Sequence, residues 1–147
     1  MDAKAILLVE DNPQDEMLTL RALQRVNLAN RIDVVRDGQQ ALDYLFQTGD
    51  YTNRPGPALP AVVLLDIGLP RLSGLEVLER LRADSRTELL PVVILTSSDD
   101  ERDRLQGYQN GCNSFVLKPV DFTDFAETVA RLGVFWLAVN EPPFRSQ

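Results

Sequence analysis

The sequence contains no histidine. That absence excludes the nucleophile systems in which an imidazole activates serine or cysteine, and it removes the commonest side-chain ligand of transition metals. Cysteine is nearly absent as well. Cys112 stands alone, so no disulfide can close within the chain, and a reducing compartment fits. Its neighbours Gly111 and Asn113 suggest a loop or a strand start rather than a redox centre. Positive charge is in deficit, with 15 Lys and Arg against 22 Asp and Glu and a net charge of −7. That balance argues against nucleic acid or an anionic membrane as the main partner, and surface acid that keeps a chain soluble accounts for most of it. No apolar run approaches the roughly 20 residues of a membrane span, and the opening "MDAKAILLVE" carries no cleavage-like pattern. A cytoplasmic protein with no membrane contact is expected. Any chemistry must rest on carboxylates, hydroxyls and lysines.

What is present is an alternation of apolar strands and helical patterns along 147 residues, a length that fits one domain. "AILLVE" (5–10) reads as a buried strand, followed by "DNPQDEMLTLRALQRV" with Leu18, Leu20, Ala22, Leu23 and Val26 at helical spacing. Asn12 before Pro13 is the expected N-cap, with proline at the first helical position. "IDVVR" (32–36) is a second strand and "GQQALDYLFQ" (38–47) a second helix. Residues 48–60, with three prolines and two glycines, read as a long loop of the kind that is often functional or mobile. "AVVLLD" (61–66) is strand three, and Ser73 with Glu76 forms a capping box for helix three. "PVVILT" (91–96) is strand four, and Ser98 with Glu101 suggests a second capping box for a helix running to about Gln109. "SFVLK" (114–118) is strand five, and a last helix is expected from about Thr123 to Val139. The domain therefore covers 1–139, and residues 140–147 form a tail too short for an output domain.

Near-continuous apolar strands alternating with helices imply an α/β fold, a parallel sheet covered on both faces, whose sites lie at the carboxyl ends of the strands. At those ends stand Glu10 and Asp11, then Asp66, then Thr96, Ser97 and Ser98, then Lys118 followed by Pro119. Three converging carboxylates repel one another and call for a cation; an oxygen-only donor set suits Mg2+ before Ca2+. Lys118 adds a point charge and Thr96 a hydroxyl donor, which is equipment for holding a phosphoryl group. Taken singly, each has a plainer reading. The acids favour a helix N-terminus, Thr96 to Ser98 form a cap, Lys118 is a solvated strand end, and Pro119 ends a strand. Matching groups at four strand ends out of five favour the joint reading.

Glu10-Asp11, Asp66 in "LLDIGLPRLSG", Thr96 in "ILTSS" and Lys118-Pro119 in "FVLKP" resemble the receiver domain of two-component response regulators. The resemblance spans roughly residues 4–132. It implies a doubly wound, flavodoxin-like five-stranded parallel sheet in the order 2-1-3-4-5. It implies that Asp66 is the phosphoacceptor for a phosphohistidine of a sensor kinase, and that Glu10, Asp11, Asp66 and the Gly68 backbone carbonyl hold Mg2+. Thr96 and Lys118 would contact phosphoryl oxygens, Thr96 and Phe115 would form the switch, and the Lys118–Pro119 bond would be cis. The resemblance implies a signalling protein, not an enzyme, that loses its phosphoryl group slowly. Its output would be the face of helix four, strand five and helix five.

Three positions depart from the common pattern or bear on it. Gly68 offers no side chain to orient a hydrolytic water, Ser97 supplies the usual small residue, and Phe115 lacks a hydroxyl that some relatives carry. A narrower resemblance, through "YLFQTGDYTNRPGPALP" and the "FWL" at 135–137, is to single-domain regulators paired with bacterial phytochrome kinases. It implies a bacteriophytochrome kinase as donor in a light-sensing pathway. A histidine phosphotransfer protein is a further expected partner. Phe135 to Leu137 either bury the end of the last helix or anchor a homodimer through it. Three rival functions share parts of this pattern. An aspartyl phosphatase would want Asp-x-Asp where "VEDNP" stands, and a flavodoxin-like cofactor binder would not place Glu10 and Asp11 against a phosphate. A receiver-like interaction module that is never phosphorylated remains the alternative.

Overall fold

The computed structural model describes residues 4–29 and 31–143, so the end of the expected tail, 144–147, lies outside the described residues. Five strands, β1 (Ala5–Val9), β2 (Arg31–Val35), β3 (Val62–Leu65), β4 (Val92–Thr96) and β5 (Ser114–Leu117), form one sheet. All neighbours are parallel, in the order β2-β1-β3-β4-β5. The register pairs Val9 with Leu65 and Val35, and Thr96 with Leu117, so the carboxyl ends finish nearly level. Where β1 hands over to β3 on one side and β2 on the other, the chain direction of winding reverses and a cleft opens.

The helices are α1 (Pro13–Val26), α2 (Gly38–Phe46), α3 (Gly74–Arg82), α4 (Glu101–Gln109) and α5 (Phe122–Val134). Alternate strand residues feed two cores. Leu7, Val9, Val63, Leu65 and Ile94 pack with Leu42, Leu45, Val77, Leu78 and Leu81 of α2 and α3. Ile6, Leu8, Leu64, Val93 and Leu95 pack with Leu23, Phe125 and Val129 of α1 and α5. Every residue of β1, β3 and β4 is buried because these strands are covered on both faces and flanked on both edges. β2 and β5, at the edges, are only half-buried along most of their length.

Helix starts follow side-chain chemistry. Asn12 caps α1, its Oδ1 accepting from the amides of Gln14 and Asp15 at 3.0 Å each, with Pro13 at the first position. Ser73 Oγ accepts from Glu76 N at 3.2 Å at the start of α3. The capping box expected from Ser98 and Glu101 is not there. Asp100 is the N-cap of α4, accepting from Arg102 N at 2.8 Å. It sits one residue before the first helical position, whereas Ser98 lies two residues further back with its hydroxyl donating to Asp103 at 2.6 Å.

The long loop at 48–60 is tied down rather than open. It contains a short 3-10 turn at Gly49–Tyr51, and Arg54 donates to the carbonyls of Tyr44 at 2.7 Å, Pro57 at 2.8 Å and Ala58 at 2.6 Å. The same guanidinium lies 4.1 Å over the Tyr44 ring. At the other end, α5 runs into a π-helical turn over Phe135–Val139, closed by Asn140 N donating to Phe135 O at 2.6 Å and held by a Lys4 Nζ bond to Leu137 O. The expected last helix is thus present to Val139, beginning one residue early at Phe122 behind its Asp121 cap.

One glycine is dictated by the site. A Cβ on Gly74 would fall 2.1 Å from the carbonyl oxygen of Asp66, so only glycine lets α3 start this close to the end of β3. The expected cis bond before Pro119 is a further correction. No cis peptide bond occurs among the described residues, and Lys118–Pro119 is trans. The two isomers of an X–Pro bond differ by only about 0.5–1 kcal/mol, and just before the proline Lys118 N donates to Thr96 O at 2.8 Å, extending the β4–β5 ladder.

Candidate functional site

Four of the five strand ends bring groups to the cleft. β1 ends at Val9, so Glu10 follows immediately, its amide donating to Val35 O at 3.0 Å, and Asp11 comes next on the exposed side. Asp66 follows β3, its amide donating to Val9 O at 3.1 Å. Thr96 is the last residue of β4 and is buried; Lys118 directly follows β5. Asp11, Asp66, Thr96 and Lys118 line a cleft of about 540 Å3 together with Asp15, Gly68 and Ser98, and Glu10 is buried beneath them.

The bonding converges on Asp66 and Lys118. Asp66 Oδ1 accepts from Thr96 Oγ1 at 3.0 Å and from Gly68 N at 3.2 Å, while Oδ2 accepts from Lys118 Nζ at 2.6 Å. Lys118 Nζ also donates to Glu10 Oε1 at 2.6 Å and to Asp15 Oδ2 at 2.9 Å. The second Glu10 oxygen accepts from Asn12 N at 3.2 Å. Behind Thr96, its Oγ1 accepts from Ser98 N at 3.2 Å, and Ser98 Oγ donates to Asp103 Oδ2 at 2.6 Å. The β4–α4 loop is therefore bonded directly to the hydroxyl that touches Asp66.

Burial and charge pull these groups apart. The Glu10 side chain is 3% exposed, and burial, with Asp66 facing it, raises its carboxyl to about 7 in spite of the Lys118 bond. Burial also works against an ionised Asp66. The bond and charge of Lys118, with the donors of Gly68 and Thr96, outweigh it and hold that carboxyl below its usual range. Burial likewise disfavours the Lys118 ammonium, but its three carboxylate partners outweigh it and raise its pKa. Asp66 is thus the carboxylate kept ionised, and Glu10 the one most in need of a second cation.

A metal fits the donor set. One oxygen each of Glu10, Asp11 and Asp66 lie within 4.8 Å of one another. At about 2.1 Å from the metal, adjacent ligands of an octahedral Mg2+ ion sit about 3.0 Å apart, so the three oxygens would have to draw inward to hold one together, and hard oxygen donors are what it takes. Beside them, Gly68 is exposed and an added Cβ there would touch nothing within 4 Å, so the floor of the cleft is open.

The structure thus brings together Glu10, Asp11, Asp66, Gly68, Thr96 and Lys118 as expected. Phe115 is not in the cleft. It lies half-buried on the core side of β5, its ring against Gly107 of α4, where a Cβ would meet it at 3.1 Å. Two participants carry little signal in the sequence. Asp15 reads as part of the α1 pattern, although a carboxylate in the first turn of a helix that follows an acidic pair points back to the same edge. The Ser98–Asp103 pair carries no local signal, since residues five apart are not helical neighbours.

Residues 6–130 match the response regulator receiver domain family. Response regulator Rcp1 of Synechocystis is 35% identical over 134 residues, covering 91% of this chain and 89% of that protein. Its Mn2+-bound crystal structure superposes with a TM-score of 0.88 at 33% identity, covering 96% of this chain and 99% of the other. The phosphorylated cyanobacterial phytochrome response regulator RcpA gives a TM-score of 0.89 at 34% identity, with 97% and 99% covered. The bacteriophytochrome response regulator AtBRR is 52% identical, with a TM-score of 0.75 and coverage of 96% and 100%. Sheet order, the acidic cleft and these matches agree: the chain belongs to the response regulator receiver domain family.

Proposed function

We propose that this chain is a single-domain response regulator that accepts a phosphoryl group onto Asp66 from the phosphohistidine of a sensor kinase. The observation that carries the reading is the bonding of Asp66, a carboxylate held ionised at the mouth of a cleft by Lys118, Thr96 and the Gly68 amide. An Asp66 oxygen attacks phosphorus in line. The bond from phosphorus to the donor imidazole nitrogen breaks, its electron pair stays on the imidazole, and Asp66 becomes an acyl phosphate. Lys118 exchanges its Asp66 bond for a phosphoryl oxygen, and Thr96 Oγ1 turns its proton to another. When bound by Glu10, Asp11, Asp66 and the Gly68 carbonyl, Mg2+ would neutralise charge on the transferring oxygens. The missing histidine fits, because the donor imidazole then comes from another protein. With no side chain at Gly68 to orient water, slow loss of the phosphoryl group is the expected return step.

The reading extends to output. Drawing Thr96 toward a phosphoryl group pulls the loop through Ser98 and opens room for Phe115, which remodels the face of α4, β5 and α5. Leu105, Tyr108, Leu117, Val120 and Phe122 already expose apolar surface on these elements and their connection. A structure with beryllofluoride at Asp66 should show a different Phe115 rotamer from the free protein; identical rotamers and loops would overturn the switch.

The likeness to regulators whose names tie them to phytochromes supports a bacteriophytochrome kinase as donor, with a histidine phosphotransfer protein as a further partner. No described helix is long and apolar enough to cross a membrane, which supports a cytoplasmic site of action. Phe135 at 47% exposure and Val139 at 59%, on the π-helical turn beside half-buried Trp136, support a homodimer through the end of the last helix. Sedimentation should give a dimer at about 50 µM, as expected for a micromolar contact. A monomer there, phosphorylated or not, would remove the dimer.

A further inference from the structure

Lys118 has three N–H donors, and all three are used on carboxylates: Glu10, Asp15 and Asp66. The three acceptors do not share one fate. Glu10 belongs to the set that a metal would draw away, and Asp66 is the oxygen source that the phosphoryl group would cap. Asp15 lies outside the metal-competent set and on a different element, the first turn of α1. Its side chain is 25% exposed, so it reaches inward from the rim, whereas the Lys118 side chain is 5% exposed and has little room for another partner.

We propose that Asp15 is a positioning residue that holds the Lys118 ammonium at the cleft once metal and phosphoryl group have taken its other two partners. The inference rests on the phosphoacceptor reading of Asp66 for its role in turnover, but the anchoring itself is a property of the Lys118–Asp15 contact. A lysine stem has four rotatable bonds, and an ammonium with one fixed partner on α1 keeps its remaining donors aimed at Asp66. Without that partner, the ammonium would lean onto Glu10 and Asp66 in the metal-free protein. In the metal-loaded protein it would swing toward water. Asp15 also adds a negative charge beside the metal-competent set, so its removal weakens cation binding in the same direction.

The chain contains two lysines, Lys4 and Lys118, so side-chain ammonium protons can be followed in the full protein with 15N-labelled lysine, without ambiguity. The experiment compares their exchange with water in the parent protein, Asp15→Ala and Asp15→Asn, without metal and at saturating Mg2+. The parent should keep Lys118 exchange slow in both conditions. Asp15→Ala should match it without metal but exchange about fivefold faster with Mg2+, the loss of a partly exposed ion pair, with Asp15→Asn between them. Equal exchange in all three proteins at saturating Mg2+ would overturn the proposal, since a residue that only stabilises α1 changes the melting temperature and not this ratio. With Mg2+ and phosphoramidate saturating, the rate of Asp66 phosphorylation in Asp15→Ala should fall by a similar factor, while the half-saturating donor concentration holds. An unchanged or higher rate would also count against anchoring. If the parent gains no phosphoryl group, the acceptor reading fails while the exchange measurement still decides the role of Asp15.

Discussion

Replacing Lys118 by methionine should destabilise the metal-free protein by about 3 kcal/mol near pH 8 and by much less near pH 5. Methionine keeps an unbranched stem of similar length, so the packing under β5 changes little and the loss is that of the charge. What remains is Glu10 and Asp66, both nearly buried, with Asp15 and Asp11 beside them and no cation. Removing one member of a buried ion cluster typically costs about 3–5 kcal/mol, and the lower end applies because the cleft is open to water. The sign of the pH effect follows from which carboxyls are raised. Glu10 already sits near 7 in the parent, above its unfolded value, through burial and its Asp66 neighbour. Its contribution is therefore complete below the unfolded pKa and fades as pH rises toward 7. Asp66 behaves oppositely while Lys118 is present: its lowered pKa makes its contribution complete above the unfolded value and lost as pH falls. Without the ammonium, Asp66 joins Glu10 among the raised groups, so the variant loses stability steadily from pH 5 to pH 8. Urea unfolding of both proteins across that range, followed by Trp136 fluorescence, measures the gap. Adding Mg2+ should close much of it by supplying the missing charge. A gap independent of pH and of Mg2+ would mean that Lys118 acts through its stem and not its charge.

The parts of this site that could be read from sequence are those fixed by strand geometry. A buried parallel strand of four or five apolar residues must end somewhere near the sheet rim, so Glu10, Asp66, Thr96 and Lys118 fall at one edge by counting alone. Asn12-Pro13 and Ser73 declared their helix starts because the capping chemistry is local. Errors arise where two local chemistries compete or where the partner is distant. Ser98 and Asp100 both could cap α4, and the carboxylate prevailed because Ser98 was drawn to Thr96 and Asp103. Asp15 looked like an ordinary first-turn acid, and only the 103-residue separation closed by the fold shows that its partner is Lys118. Arg54 is the same case in the long loop: the prolines and glycines foretold irregular backbone, but not the guanidinium that ties it to Tyr44. The expected cis bond failed for another reason. It came from resemblance alone, and the small energy difference between X–Pro isomers leaves little in the residues themselves to decide it.

Incubated with Mg2+ and phosphoramidate, the parent protein should gain one phosphoryl group by intact mass, and Asp66→Asn should gain none. Asparagine keeps the shape of the side chain and an oxygen that can accept from Thr96 and Gly68, so the β3–α3 junction and the contact with Gly74 are preserved. What it loses is the nucleophile, since an amide oxygen does not form a stable acyl phosphate, and one of the three carboxylates that could hold a metal ion. The alternative acceptors nearby are poor. Thr96 is buried with its hydroxyl turned to Asp66, and Glu10 spends its oxygens on Lys118 and the Asn12 amide. A chelator should abolish the parent's gain as completely as the substitution does, because Lys118 alone cannot offset the charge of a phosphodonor approaching four carboxylates. The two losses differ in one respect that separates cause from consequence. Raising Mg2+ should rescue a variant weakened only in metal binding, whereas Asp66→Asn should stay unmodified at any Mg2+ concentration. A mass gain in Asp66→Asn would move the acceptor to another residue, and no gain in the parent with any donor would leave a receiver fold that signals by contact alone.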